Sequence, residues 1–224
     1  MKRAIAITIG ATLLQLGAAA LGTDDRVVLG FDGPPGDQGV PAPWSFRRWW
    51  PIASFSRDYE AAARVVRQGE TPILCVKSVR SGLLVGTKRE IDVAVLREAT
   101  WGWSAETLPK GGNFRERSTN DQVLQVQFAF DGGKVLSYVW DTTGPVDATG
   151  SGLSWQDDVQ VIVLEAGAAK LGQWLTESRN LYADYRKIFG TEPGRILGVA
   201  IQSNSQHTES SGAGCVGPIT LKRQ

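Results

Sequence analysis

The sequence is poor in the residues that many enzymes use for catalysis. It contains two cysteines, Cys75 and Cys215, and one histidine, His207, in a polar loop. Two distant cysteines and one histidine do not make a standard tetrahedral zinc site. A solvated loop histidine is also a poor base for a nucleophile. The signatures of serine hydrolases, zinc peptidases and phosphate-binding loops are absent as well. We predict no catalytic activity, no metal and no cofactor.

An excess of charge of one sign is missing too. The formal net charge is +1, with 24 basic and 23 acidic residues dispersed along the chain. A chain of this kind has no positive field that would attract a phosphate backbone. We therefore predict that nucleic acid is not a partner.

Glycine, proline and tryptophan are abundant by contrast. There are 26 glycines, ten prolines and eight tryptophans, and they punctuate short apolar runs. This pattern favours strands and turns over a helical bundle. With 42% hydrophobic residues, 224 residues can form one good core. We predict an all-β protein with about ten strands in an antiparallel two-sheet β-sandwich of the jelly-roll kind.

Alternation of apolar and polar residues locates the most regular strands. Residues 123–130 alternate in this way, which directs one face of the strand toward a core. A turn signal at residues 131–134 predicts a hairpin with residues 135–140. Further strands are predicted over residues 27–31, 59–66, 73–79, 100–105, 159–164, 196–201 and 215–221.

One short helix interrupts the strand pattern. Leu181, Tyr185 and Phe189 recur at helical spacing. Asn180 can cap the start of this helix, and Gly190 lies just beyond its end. The sequence therefore predicts a helix between these two residues.

The N-terminal segment is apolar. Lys2 and Arg3 precede residues 4–22, which carry no charge. Such a segment is typical of a cleaved signal peptide, but its length also matches an uncleaved transmembrane helix. Either alternative gives residues 1–22 an export role and places the rest of the chain in the periplasm.

A segment rich in proline and glycine follows. We predict that residues 23–48 form a linker with a short strand and that residues 49–224 form the sandwich domain. At the boundary lies a basic and aromatic cluster that can contact a membrane or a partner protein, or pack at the rim of the sandwich: Arg47, Arg48, Trp49 and Trp50.

The two cysteines fall in predicted strands. Export exposes thiols to an oxidising environment, and early and late strands are often neighbours in a sandwich. We predict a disulfide between Cys75 and Cys215, with two separately buried thiols as the alternative.

Four residues are candidates for binding a ligand. Trp101 and Trp103 lie two apart in a predicted strand, so both project from one face. They can form a platform for sugar rings, but the same spacing suits a core, and an exposed pair would promote aggregation. Asn120 and Asp121 precede a strand and can form a polar rim or end a turn.

Paired carboxylates of a glycan hydrolase have no fixed local signature. Asp121, Asp157 and Asp158 could form such an acid and base pair. Carboxylates at turns more often accept hydrogen bonds from backbone amides. We rank this interpretation last.

A set of short motifs recurs in order along the chain: Ser78, 81–83, 101–103, 120–121, 136–140, 171–174 and 184–193. On these motifs the chain, from about Trp50 to Leu221, resembles the family known as domain of unknown function 3047, exported bacterial proteins with a jelly-roll or galactose-binding-like sandwich. The resemblance departs from the family pattern at residues 203–208, where an aspartate-rich turn is usual, and after Trp103, where an arginine-rich extension is usual.

Three functions are compatible with these observations. The main prediction is an accessory or scaffolding subunit of a membrane protein complex, with bilayer contact through residues 1–22. The alternatives are a free periplasmic carbohydrate-binding module that takes a saccharide, and a carboxylate-dependent glycan hydrolase.

Overall fold

The computed structural model describes residues 25–49, 60–152 and 158–224, which form a two-sheet β-sandwich with one short α-helix. The apolar helix predicted at residues 1–22 lies outside the described residues. Within the described residues no helix is long and apolar enough to cross a bilayer. The all-β sandwich with one helix is confirmed.

Fourteen strands are present in the described residues. In chain order the elements are β1 (Arg26–Leu29), β2 (Ser45–Trp49), β3 (Glu60–Gln68), β4 (Thr71–Val79), β5 (Gly82–Ile91), β6 (Glu98–Thr107), β7 (Leu124–Phe130), β8 (Lys134–Asp141), β9 (Thr149–Ser151), β10 (Asp158–Ala166), β11 (Leu175–Asn180), α1 (Leu181–Phe189), β12 (Ile196–Asn204), β13 (Ser211–Val216) and β14 (Ile219–Lys222). Several strands are longer than predicted, because chain pairing extends them beyond the alternating segment.

The strands divide into two seven-stranded sheets. Sheet I has the order β1-β14-β6-β13-β4-β3, and β11 also pairs with β6. Sheet II has the order β2-β5-β12-β7-β8-β10-β9. Both sheets draw strands from the beginning and the end of the chain, so the sandwich is one cooperative unit.

The sheets are not wholly antiparallel as predicted. β10 lies parallel to β8, with Asp158 opposite Lys134. The reason is the short edge strand β9, which lies between β8 and β10 in sequence and pairs with β10 in antiparallel fashion. β9 runs opposite to β8, and the chain reverses again into β10, which therefore runs in the same direction as β8. The other strand pairs of the described residues are antiparallel.

The core lies between the sheets and is rich in aromatic rings. The predicted alternation in β7 is confirmed, since Leu124, Val126 and Phe128 are fully buried on the inner face. The hairpin partner β8 contributes Tyr138 and Trp140 to the same core. Burying rings of this size supplies much of the driving force for folding.

Two segments differ from the predicted boundaries. β1 and β2 pair with β14 and β5, so much of the predicted linker at residues 23–48 belongs to the sandwich. The strand predicted over residues 215–221 is two strands, β13 and β14, which both pair with β6. Pro218 lies between them and has no N–H group to donate to a continuous ladder.

The predicted helix is present with both of its end signals. The Asn180 side chain accepts a hydrogen bond of 2.9 Å from the backbone N–H of Ala183. Gly190 ends the helix with a φ of 70°, a left-handed conformation that suits glycine. Leu181 and Tyr185 are buried and join the main core.

A second, smaller core lies on the outer side of sheet II. Phe114 covers Val139, Val161 and Val163, which project outward from β8 and β10. This cover protects one half of the outer face. The other half, built by β2, β5, β12 and β7, is the setting of the candidate site.

Candidate functional site: a furrow across sheet II

A cavity of about 600 Å³ lies on the uncovered outer face of sheet II. Residues of β2, β5, β12, β7 and β8 line it, so it crosses the sheet instead of following one strand. We call this cavity the furrow.

The floor of the furrow is a single row of paired residues. Ser45, Gly86, Ala200 and Gln127 are consecutive partners across β2, β5, β12 and β7. Three of these four side chains are small, so the surface is low along the row. Because neighbouring strands lie about 4.8 Å apart, the row extends for about 14 Å. This length suits an extended ligand.

Two flanking rows form the walls. Arg47, Leu84 and Gln202 are partners in the row on one side of the floor. Lys88 on β5 and Val135 on β8 belong to the row on the other side of the floor. The residues between them in this row belong to β12 and β7. Each wall is two residues along the strand from the floor, so the walls are separated by about 13 Å at the backbone.

The end of the furrow over β7 and β12 carries a chain of side-chain amides. Nε2 of Gln127 donates to Oε1 of Gln125 at 3.0 Å and to Oε1 of Gln202 at 3.0 Å. Nε2 of Gln125 donates to Oδ1 of Asn204 at 2.8 Å, and Ser137 donates to Oε1 of Gln125 at 3.2 Å. These contacts hold the amides in fixed orientations.

Two groups of this network of amides have no hydrogen-bond partner in the described part of the chain, and we call them open. Among the described residues, no donor bonds to Oε1 of Gln127 and no acceptor bonds to Nε2 of Gln202. Both side chains are only partly buried. Gln127 lines the furrow and its bonded neighbour Gln202 lies in the flanking row, so this region offers one acceptor group and one donor group to a ligand.

The amide chain continues away from the furrow into a buried cluster around Asp121. This carboxylate is fully buried. It accepts hydrogen bonds from Nδ2 of Asn204 at 3.0 Å and from both the backbone N–H and the hydroxyl of Thr208, at 2.6 and 2.8 Å. Nδ1 of His207 lies 3.2 Å from the same carboxylate. The cluster joins two loops that sequence reasoning treated separately.

These contacts define the role of the predicted polar rim. Asn120 and Asp121 are buried. The backbone carbonyl of Asn120 and the carboxylate of Asp121 both accept from Nδ2 of Asn204, and the carboxylate also accepts from Thr208, so they hold the loop before β7 against the loop after β12. His207 is partly solvated as predicted, with a side chain 38% exposed. Its hydrogen bond to Asp121 raises the pKa of the imidazole above its ordinary value, while burial acts in the opposite direction.

Comparison with known proteins gives the chain a family. Residues 48–220 match a family described as protein of unknown function (DUF3047). The chain belongs to this family. The resemblance seen in the sequence is thereby confirmed. A search of curated proteins finds no match.

Solved structures with a similar fold share little sequence with this DUF3047 chain. A family 11 carbohydrate-binding module from Clostridium thermocellum, in complex with a β-1,3-1,4-mixed-linked tetrasaccharide, is 10% identical with a TM-score of 0.44, over 88% of this chain and 95% of that one. The xyloglucanase domain of NopAA from Sinorhizobium fredii, in complex with cellobiose, is 12% identical with a TM-score of 0.43, over 82% and 97%. The xylan-binding module CBM86 from Roseburia intestinalis is 11% identical with a TM-score of 0.34, over 89% and 96%.

The two tryptophans of the predicted platform lie in the core of the DUF3047 sandwich. Trp101 is 2% exposed and Trp103 is fully buried, and their rings pack edge to face at 5.9 Å. Trp103 donates to Oε1 of Glu177 at 3.0 Å, whereas Nε1 of Trp101 has no partner among the described residues. The core alternative therefore describes them, and the platform interpretation is corrected, because an enclosed ring cannot stack on a sugar.

The basic and aromatic cluster is divided by the structure. Arg47 lies on the edge strand β2, is exposed, and lines the furrow. The side chains of Arg48 and Trp49, and the whole of Trp50, lie outside the described residues. Contact of this cluster with a membrane or partner protein stays a prediction.

The two cysteines are joined by a disulfide. Cys75 on β4 and Cys215 on β13 are direct partners in sheet I. They alternate with core residues such as Leu74 and Val76, which places the bond on the outer side of that sheet.

The candidate carboxylates do not resemble a catalytic pair. Asp121 is enclosed by its donors, and Asp158 is exposed and accepts from Gln160 at 2.9 Å. Asp157 lies outside the described residues. Within the described ranges no group of three or more His, Cys, Asp or Glu side chains could hold a metal ion.

Sequence reasoning identified Gln125 and Gln127 only as the polar face of a strand. Their partners Gln202 and Asn204 lie 75 and 79 residues away, so no local pattern shows the amide chain. The available signal was the unusual pair of glutamines facing outward from an otherwise apolar strand.

Proposed function

We propose that this DUF3047 protein binds a polysaccharide in the furrow across sheet II and does not modify it. The observation that carries the proposal is the pair of open amide groups on Gln127 and Gln202, held beside an extended floor. A sugar hydroxyl both donates and accepts hydrogen bonds, so it complements a fixed acceptor next to a fixed donor.

The shape of the furrow supports an extended ligand. The small residues Gly86 and Ala200 allow a chain to lie close to the sheet, and Leu84 and Val135 offer apolar contact from the two walls. The furrow is therefore a site that is largely formed before the ligand binds. Because the amides are already bonded to each other, little conformational entropy is lost when the ligand binds.

An extracytoplasmic location agrees with this function. The disulfide between Cys75 and Cys215 is of a kind that persists in oxidising compartments. Attachment to a membrane complex stays a prediction, since it depends on residues 1–22.

Filling the floor of the furrow tests the proposal. Ala200→Gln places a longer side chain between Gly86 and Gln127, and we expect it to lower affinity for the bound polysaccharide at least about tenfold, because the ligand can no longer approach the sheet. The measurement is affinity electrophoresis of the full chain in gels containing soluble neutral and acidic polysaccharides.

A matched control is available on the other sheet. Ala62 is a partly buried alanine on β3 of sheet I, so Ala62→Gln makes the same change away from the furrow. It should bind like the wild type. Retardation that is equal in both variants, or no retardation by any polysaccharide, would contradict the proposed function.

A further inference from the structure

The charged groups that line the furrow all have the same sign. Arg47 and Lys88 line it, and no aspartate or glutamate does so among the described residues. This contrasts with the chain as a whole, in which acidic and basic residues nearly balance. The furrow therefore has a positive local potential in a nearly neutral protein.

These two cations also differ from others in the structure. Lys77, Lys170 and Arg195 each form an ion pair with a glutamate at 2.7 to 3.2 Å. Neither Arg47 nor Lys88 forms an ion pair or a side-chain hydrogen bond within the described residues. Both are exposed. Their charges are available to a ligand.

The separation of the two cations favours an extended occupant over one small shared anion. Arg47 is paired with Leu84, and Lys88 lies four residues further along β5. At about 3.3 Å per residue, the two stand about 13 Å apart along the strand direction, on opposite walls. Gly86 lies between them and lowers the floor. A ligand that engages each cation with its own anionic group is extended and carries more than one negative charge.

We propose that the ligand is an acidic polysaccharide whose sugar carboxylates are held by Arg47 and Lys88. This inference rests on the proposed function. The cations lie in the furrow on β2 and β5. The open amides lie on β7 and β12, with Gln127 in the furrow and Gln202 beside it. One end thus recognises the charge and the other recognises hydroxyl groups of the same polymer. Arginine suits a carboxylate because its planar guanidinium can donate two parallel hydrogen bonds.

The test compares one polymer in two chemical states. Isothermal titration calorimetry on the full chain uses polygalacturonate oligosaccharides, and the same oligosaccharides after their carboxyl groups have been reduced to alcohols. We expect the wild type to bind the acidic form at least about tenfold more tightly, because charged hydrogen bonds contribute more than neutral ones. Raising the salt concentration should weaken binding of the acidic form only.

Neutral variants assign the preference to the two cations. The double variant with Arg47→Gln and Lys88→Gln should lose the preference for the acidic form, while its affinity for the reduced form stays within about twofold of the wild type, since uncharged contacts remain. The control double variant, with Arg64→Gln and Lys110→Gln, removes two exposed cations elsewhere and should keep the preference.

The outcomes separate this inference from the proposed function. Equal affinity for the two forms, with both lost in Ala200→Gln, would overturn the acidic assignment and leave polysaccharide binding intact. Binding of neither form would overturn the acidic assignment, and only the further absence of retardation by every polysaccharide in the gels would overturn the proposed function as well. Tighter binding of sulfated dextran than of polygalacturonate would replace carboxylate with sulfate as the recognised group and so overturn the assignment as stated.

Discussion

At the scale of single residues, the chain uses one buried carboxylate to fix two loops at once. Asp121 accepts hydrogen bonds from Asn204 and Thr208 and lies beside His207. Three donors around one enclosed carboxylate stabilise its charge without solvent. The same contacts position Asn204, which anchors the amide chain that leads to the furrow.

The neighbouring imidazole makes stability depend on pH. The hydrogen bond to Asp121 raises the pKa of His207 in the folded protein, so the protonated ring stabilises the fold. This contribution is complete below the unfolded-state pKa of about 6.5 and is lost as the pH rises through the higher folded-state pKa. In His207→Gln, the free energy of unfolding should therefore change less between about pH 5.5 and pH 8.5 than in the wild type.

Urea unfolding of both proteins at the two pH values measures this difference. Asp121→Asn provides a second comparison, since it removes the carboxylate that raises the pKa and should also lower stability by about 2 kcal/mol through loss of charged hydrogen bonds. An identical pH dependence in the wild type and His207→Gln would show that this imidazole does not contribute.

At the scale of elements, β6 has more strand partners than a strand of a simple hairpin has. It pairs with β11, β13 and β14, and its inner face carries Trp101 and Trp103. Gly102 between them leaves room on the outer face for the ring of Trp174, which a Cβ would approach to 2.3 Å. Tryptophans thus pack on both sides of this strand.

The two inner tryptophans should differ in their contribution to stability. Trp101→Phe removes an N–H group that has no partner among the described residues, whereas Trp103→Phe leaves the carboxylate of Glu177 without its donor. Both changes create space in the core, but we expect Trp103→Phe to be more destabilising by about 1 kcal/mol. Guanidinium unfolding curves compare the two, and an equal or reversed order would show that the hydrogen bond is not the deciding difference.

Elements with local signals were predictable from the sequence. The hairpin of β7 and β8 follows from alternation around a turn, and α1 follows from its cap and its terminal glycine. β11 was missed because its sequence, from Leu175 to Asn180, is mostly polar and becomes a strand only by pairing with β6. β5 was missed because three consecutive charged residues, 88–90, lie near its end and obscure its alternation of apolar and polar residues.

The candidate site was less predictable for the same reason. Its floor joins residues of four strands, and which residues become partners depends on register across sheet II. Register is a property of the assembled sheet, so no single strand reveals it. Arg47 was recognised as part of a binding cluster, but its relation to Lys88 required the pairing of β2 with β5.

At the scale of the whole molecule, one covalent bond connects distant parts of the chain. Cys75 and Cys215 are 140 residues apart in sequence, and their disulfide joins β4 to β13 in sheet I. A cross-link over so long a loop restricts the unfolded chain strongly. The folded sandwich does not depend on it for its core, which lies on the opposite face of these strands.

Removing this bond should therefore lower stability without abolishing the fold. We expect the double variant with Cys75→Ala and Cys215→Ala to lose about 2 to 4 kcal/mol in the free energy of unfolding and to keep a wild-type circular dichroism spectrum. A reducing agent should shift the unfolding midpoint of the wild type but not of the variant. A wild-type midpoint that does not respond to reduction would indicate that the bond contributes little.

The floor of the furrow has a consequence for how the protein could be assayed. Its row of residues begins at Ser45 and includes Ala200, so it is continuous only when β2, β5, β12 and β7 are all in register. A shift of one strand by one residue would replace a small floor residue with a core residue. Any ligand of the furrow thus binds the folded state alone and stabilises it as its concentration rises. A saturating titration would count correctly assembled molecules in a preparation, which makes the binding site a direct reporter of protein quality.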